Sequence, residues 1–439
     1  MISIPITIRE DSGCEKVNEF FSLGVPLPNG ELKKVSLLNL EDSHGKVVPV
    51  QVKATSSWPD GSVRWCLVTF LYSLARGQSE TLLLSDNELK GKATFEEIQV
   101  IDSPKSILID TGKAEFTINK SIFSPFSCVA VDGVSCMASE PPAVVLTGMA
   151  NASYVPVVDK IHYDTLSNPV SLSVSMEGFF RSEFSERFFD FSALLTFFLG
   201  SSTVKIEFAI HNPKPAHHPA GLWDVGDAGS RLFKSLVFKF PAGHTKQCYW
   251  KDQNEGSWRQ ADGDTFEIVQ ASSGGDNWDS VNHIDRSGTV RLKYRGYRCL
   301  VDGININAGD RASPTLCTQS STLSTNIYVE DFWQNFPKSI GYDGECLNVG
   351  LFPSLDDYEY ELQGGEKKTH SAYIDFGGNK NALQWCASPS KPCIALDYYA
   401  QANILPYLSD NYPDGVLDDI VNEGIVGNDN FFIKRELID

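Results

Sequence analysis

Apolar side chains recur along this chain with a period of two or in short unbroken runs, and clusters of Gly, Pro, Asn and Asp separate the runs. Stretches of this kind are VSLLNL (35–40), VVPVQV (47–52), SVRWCLVTFLYSL (62–74), TLLL (81–84), VSLSVSM (170–176), TVKIEFAI (203–210) and NIYVEDFW (326–333). Such patterning, rich in β-branched and aromatic residues, predicts half-buried or core strands. The gaps are short and hold no helical periodicity, so antiparallel connections are expected. The polar stretch SDNELKGKATFEE (85–97) marks the end of a first unit over 1–95. Strand signals then continue over 100–382, too many for one small sheet, and predict a large central antiparallel β-sandwich.

The character changes near residue 390. In CIALDYYAQANILPYL (393–408) and VLDDIVNEGIVG (416–427) the apolar residues follow helical spacing. Leu417, Ile420, Val421 and Ile425 share one face, and Gly427 is placed to end the helix. The expectation is a mostly β protein with a short α-helical segment over 388–439.

Charge and composition narrow the partners. The formal net charge is −19, from 37 Lys+Arg against 56 Asp+Glu, which argues against a nucleic-acid partner. No apolar run reaches membrane-spanning length, so no membrane partner is expected. The opening MISIPITIRED lacks a basic segment followed by an apolar stretch, so no signal peptide is visible. A cytoplasmic location is expected, or a secreted one if the numbering starts from a processed form. The ten cysteines are too sparse for a disulfide scaffold, and none stands in a C-x-x-C pair that would mark a structural zinc site. No cofactor is expected, and no pattern supports a divalent cation such as calcium.

Four stretches could carry chemistry. WPDGSVRW (58–65) reads as a turn feeding a core strand. In RLKYRGYR (291–298), a strand would set Arg291, Lys293 and Arg295 on one face, held either for an anionic ligand or by acidic neighbours. In ELQGGEKKTHSAYIDFG (361–377), Gly364-Gly365 marks a bulge or a close backbone approach. Beyond it Glu366, Lys368 and His370 share one strand face, in a site or on a solvated edge. Last is the loop AHHPAGLWDVGDAGSRL (216–232). His217, His218, Asp224 and Asp227 could ligate a metal, but no pair has helical i, i+4 spacing. Trp223 could stack on a sugar ring while Asp224 or Asp227 bonds its hydroxyls. A purely structural loop is the third reading.

These stretches occur together with GVPLPNG (24–30), VVPVQVKATSSWPDGSVRW (47–65), FPKSI (336–340), LFP (351–353), LQGGEKKTH (362–370) and EGIVGNDNFFIKRELID (423–439). In that order they resemble the exo-acting rhamnogalacturonan lyases of bacteria and fungi, of the polysaccharide lyase family twenty-six type. The resemblance spans nearly the whole chain, and WPDGS, WDVGD and QGGEKKTH are its more specific parts. It implies an N-terminal RIFT-type β-barrel, a central β-sandwich and the start of a C-terminal α/α toroid, most of which lies beyond residue 439.

The resemblance implies β-elimination at uronate residues of rhamnogalacturonan-type pectin. Such a reaction removes the C5 proton, expels the O4 substituent and leaves an unsaturated sugar. A cation must neutralise the carboxylate, a base takes the proton, and an acid or water protonates the leaving oxygen. The candidates for catalysis are His218, Lys368 and His370. Those for binding a pectic polysaccharide or oligosaccharide are Trp223, Asp224, Asp227, Arg231, Arg295, Gln363 and Glu366. The alternative is a catalytically inactive carbohydrate-binding or scaffold fragment without the toroid. A glycoside hydrolase would need two facing carboxylates, and Asp224 and Asp227, three apart on one loop, do not suggest them.

Overall fold

The computed structural model describes residues 2–87, 97–136, 142–164, 170–184, 186–217, 226–242, 247–254, 256–320, 324–356, 358–377 and 380–404. Of these, 2–87, 170–171 and 388–404 form one compact unit, and 97–164 with 172–387 the other.

In the first unit, period-two patterning builds two antiparallel sheets. Ser3–Arg9, Ser79–Ser85, Asn39–Glu41 and Val47–Val48 form one in that order. Lys16–Pro26, Val63–Leu74 and Val50–Ser57 form the other. Alternation decides which side chains go inward: Ile4, Ile6 and Ile8 are buried while Ser3, Pro5 and Arg9 are exposed. Phe21 and Phe70, cross-strand partners, stack with ring centroids 5.1 Å apart. VSLLNL is not one strand: Val35–Leu37 is a short 3-10 turn and pairing begins at Asn39. WPDGS is the expected turn, in which Asp60 accepts from the Ser62 amide and hydroxyl and Gly61 takes φ +82°. Residues 388–404 pack here, through Ile394 in the core and a six-residue helix, Leu396–Gln401.

The second unit is antiparallel throughout. Five strands between Gln99 and Ser135 form one sheet, and seventeen strands from Ala143–Gly148 to Lys367–Phe376 form the other among the described residues. The long sheet folds back over itself, and phenylalanines fill the space between its layers. Phe208 sits 5.0 Å from Phe238, and Phe123 sits 5.0 Å from Phe191, all four buried. Within this sheet, segments distant in sequence lie side by side. Thr203–His211 pairs with Lys367–Phe376, and Arg231–Pro241 pairs with Cys346–Phe352, which in turn pairs with Lys338–Tyr342. No helix among the described residues is long and apolar enough to cross a membrane.

RLKYRGYR departs from expectation. Residues 291–296 are irregular and the strand starts only at Tyr297, so the period-two argument for one cationic face does not apply.

The first unit gives a pH test. Glu10, almost fully buried, accepts from the Ser12 amide and hydroxyl and from the amides of Gly13 and Gly77. Burial alone would raise its pKa, but these bonds outweigh it and hold the group at about 2. A carboxylate depressed in the folded state stabilises above its unfolded pKa of roughly 4.5 and loses that contribution as pH falls toward 2. Glu10→Gln therefore lowers the melting temperature at pH 7. Thermal melts at pH 7 and 3 will show the gap to wild type shrinking; an equal gap at both pH values rules the account out.

Candidate functional site

Three segments far apart in sequence are locked together by one buried asparagine. Asn212, fully buried, donates through Nδ2 to the carbonyls of Gly229 (2.8 Å) and Leu362 (2.9 Å). Its main-chain N–H donates to Glu366 O, and its carbonyl accepts from Gly365 N. The chain after it runs so close that a Cβ at Gly229 or Gly364 would lie 2.3 or 2.5 Å from Pro215 O. Only glycine admits that approach at Gly229 and Gly364, while Gly365 takes the left-handed φ of +78° that glycine adopts freely. Asp227 completes the arrangement, its two oxygens accepting from the amides of His217 and Gly229, each at 2.7 Å.

Beside this junction lies a cavity of about 310 Å³, lined among others by His283, Arg286, Arg291, Phe336, Gln363, Glu366 and Lys368. Parts of the motifs 336–340, 351–353 and 362–370 thus converge around one space, and the Gly226 amide donates to Glu361 in its lining. The strand Lys367–Phe376 supplies its most unusual chemistry. Lys367 and Thr369 are exposed, Lys368 is half-buried in the cavity wall, and His370 points into the interior of the sandwich.

There His370 Nδ1 meets Lys338 Nζ at 2.5 Å. Lys338 is wholly enclosed, and the Phe352 ring stands edge-on to the imidazole at 5.1 Å. Burial, with Lys338 and Lys368 adding repulsion, pushes the His370 pKa well below its usual value. Burial and the Lys368 charge push Lys338 well down as well, with Asp331 opposing. Burial also lowers Lys368, against the pull of Glu366. One hydrogen bond joins Nδ1 to Lys338, and Nε2 has no hydrogen-bond partner among the described residues.

The other expected residues divide. Gln363 and Glu366 line the cavity, where Glu366 accepts from the Gln363 amide at 2.9 Å and buried Gln363 Oε1 has no partner among the described residues. Asp227 holds main-chain amides, as a structural loop residue does. Arg231 spends its donors on the carbonyls of Arg187 and Phe188, with its guanidinium 4.9 Å over the Phe188 ring. Arg295 is paired with Asp276 and Asp310, at 2.9 and 3.0 Å, so acidic neighbours answer this cation. His218, Trp223 and Asp224 lie outside the described residues. Sequence pattern alone did not single out Lys338, His283 or Arg286. Lys338 had a readable signal: it alternates with Ile340 on a strand, a lysine at an apolar position.

Comparison with known proteins locates the chain. Residues 11–82 match a family model, the PcRGLX-like N-terminal RIFT barrel domain, so the first unit contains a RIFT barrel. The uncharacterized protein YetA of Bacillus subtilis strain 168 is 29% identical over 110 residues, 25% of this chain and 12% of that protein. Among solved structures, an α-mannosidase from Enterococcus faecalis V583 superposes with TM-score 0.51 at 12% identity, covering 90% of this chain and 46% of that one. A glycosyl hydrolase family 38 protein from Enterococcus faecalis gives TM-score 0.51 and 12% identity over 90% and 47%. These likenesses concern the fold. This chain spans about half the length of those two structures and a small part of YetA.

The buried histidine predicts how stability follows pH. A base whose folded pKa is depressed contributes fully above its unfolded pKa, near 6.5, and stability falls as pH drops below that. The slope per group is at most about 1.4 kcal/mol per pH unit. Chemical denaturation from pH 7.5 to 5 will show this loss, and His370→Gln will reduce it. An unchanged slope in the variant would mean that His370 does not titrate as described.

Proposed function

We propose that the protein acts on rhamnogalacturonan-type pectin by β-elimination at uronate residues, in exo mode, with the reacting sugar in the cavity beside Lys368. One observation carries the reading: a half-buried lysine with a lowered pKa lines a cavity that also holds Arg286 and Arg291. Elimination needs that combination. The C5 proton of a uronate becomes removable only when cations offset the adjacent carboxylate, and a base with pKa brought toward neutrality takes it best. The RIFT barrel match points to the same class of polymer.

In this scheme Arg286, beside the Asp285-paired Arg291, holds the uronate carboxylate. Lys368 Nζ takes the C5 proton, and the C5–H electron pair becomes the C4–C5 double bond as the bond to O4 breaks. The leaving oxygen receives a proton from His283, which also lines the cavity. His370 and Lys338 lie behind the wall and act as positioning residues. Gln363 and Glu366 contact sugar hydroxyls. Trp223 and Asp224 keep the sugar-binding roles their sequence suggests.

Among the described residues, three of the four carboxylates that line the cavity are held by hydrogen bonds, and Glu359 is the fourth. A glycosidase works with two available carboxyl groups across the scissile bond. Here Glu361 accepts from the Gly226 amide, Glu366 from that of Gln363, and Asp285 from Ser287, Thr289 and Arg291.

The test is ultraviolet absorbance of the full chain with rhamnogalacturonan oligosaccharides, which rises as the C4–C5 double bond forms. Lys368→Met is expected to lower that rate roughly 10²–10⁴-fold, the usual worth of a general base. His370→Gln should instead displace the pH–rate profile while leaving measurable turnover. Full turnover by Lys368→Met would falsify the assignment.

A further inference from the structure

A larger groove lies on the same sandwich, away from Lys368. The strands Arg231–Pro241, Cys346–Phe352, Lys338–Tyr342 and Phe266–Gln270 lie side by side in that order. Their register aligns Lys239, Asn348, Gly341 and Glu267 in one row, and Val237, Gly350, Ser339 and Val269 in the next. Directly opposed residues share a face of the sheet. Each row has one glycine on its two central strands, so Asn348 and Ser339 are the side chains that stand at the centre of this face. Above it is a cavity of about 790 Å³.

The lining is polar but nearly balanced in charge. Lys234, Lys239 and Arg291 stand against Glu267, Asp356 and Glu359, with Tyr358 as an aromatic wall. Lys234 bonds Asn151 Oδ1 at 3.1 Å, and Lys239 lies 3.7 Å from Asp343. Asn348 Oδ1 is buried with no partner among the described residues. Burial raises the pKa of the Glu267 carboxyl, against a hydrogen bond with Ser339. Arg291, Tyr358 and Glu359 line this groove and the Lys368 cavity alike.

From this arrangement we propose that the groove over Glu267, Ser339 and Asn348 is a glycan-binding site. It takes the sugars that continue from the residue in the Lys368 cavity, and so rests on the function proposed for that cavity. Its size lies in the upper part of the roughly 300–1,000 Å³ usual for ligand sites. Mixed donors and acceptors with no charge excess fit a chain of hydroxyl-bearing rings. Lys234, Lys239 and Arg291 offer partners to the carboxylates of its uronate rings, and an apolar ligand would leave Asn348 and Glu267 unpaired. Tyr358 offers a ring face for stacking.

Calorimetric titration of the full chain with a rhamnogalacturonan tetrasaccharide and an octasaccharide tests this without needing turnover. The octasaccharide is expected to bind at least about tenfold more tightly. Val237→Trp fills the groove from its edge and should remove that advantage while leaving tetrasaccharide affinity unchanged. Glu267→Gln, nearly the same shape, should weaken octasaccharide binding alone and serves if the tryptophan variant misfolds by circular dichroism. Equal affinity for both lengths in wild type, or no effect of either variant on octasaccharide binding, overturns the groove. Octasaccharide binding that responds to the variants without any absorbance change upholds the groove and overturns the elimination chemistry.

Discussion

The contact between Lys338 Nζ and His370 Nδ1 is the constraint around which the second unit is arranged. The interior around it is largely apolar, packed by Phe352, Phe208 and Leu351. Removing a charged group from water costs several kcal/mol even after relaxation. Keeping the imidazole neutral and giving it one donor limits that cost, but a leucine or methionine would avoid it altogether. A polar pair at such a place needs a reason other than stability. Its position supplies one. Lys338 follows the Phe336-Pro337 lip of the cavity, and His370 lies two residues beyond Lys368 on the same strand face. One hydrogen bond across the sandwich therefore fixes two walls of the cavity relative to each other. Truncating either partner would leave the other buried and unpaired.

Electrostatics sharpen this. The protein is strongly acidic overall, which by itself repels a polyuronate. Screening limits that repulsion to about 8 Å at physiological ionic strength, so nearby charges decide what enters the cavity. Lys368, Arg286 and Arg291 line it together with Asp285, Glu359, Glu361 and Glu366, and Asp285 holds Arg291 much as aspartates elsewhere hold Arg295 and Arg187.

Much of this was legible in the sequence, and the failures have physical causes. Period-two patterning located strands such as Val63–Leu74, Ser171–Ser182 and Thr203–His211, because burial of one face is a local property of sequence. The diglycine at 364–365 announced a close approach, and Pro215 supplies it. The placing of Lys368 and His370 on one strand face followed from alternation alone. What alternation could not supply was the identity of the facing surface. Lys338 precedes His370 by 32 residues, and only the folding of the sheet over itself brings them into contact. The same limit applies to the cations: Asp276 and Asp310 occupy Arg295 through loops whose positions no local pattern specifies. RLKYRGYR read as a strand because its composition fits one. Gly296, at φ +71°, breaks the extended run just before Tyr297.

The placement of titrating groups also ties folding to chemistry. Burial makes His370 resist protonation, so the sandwich holds its interior best above the range where an unfolded histidine gains a proton. Lys368 becomes a better base in the same direction, since raising pH removes its proton and its repulsion on Lys338 and His370 together. Folding and proton abstraction therefore favour the same side of neutrality for a shared reason: one buried nitrogen cluster excludes charge. A cavity wall built from carboxylates in place of that cluster would reverse the preference, because buried acids hold protons where buried amines lose them.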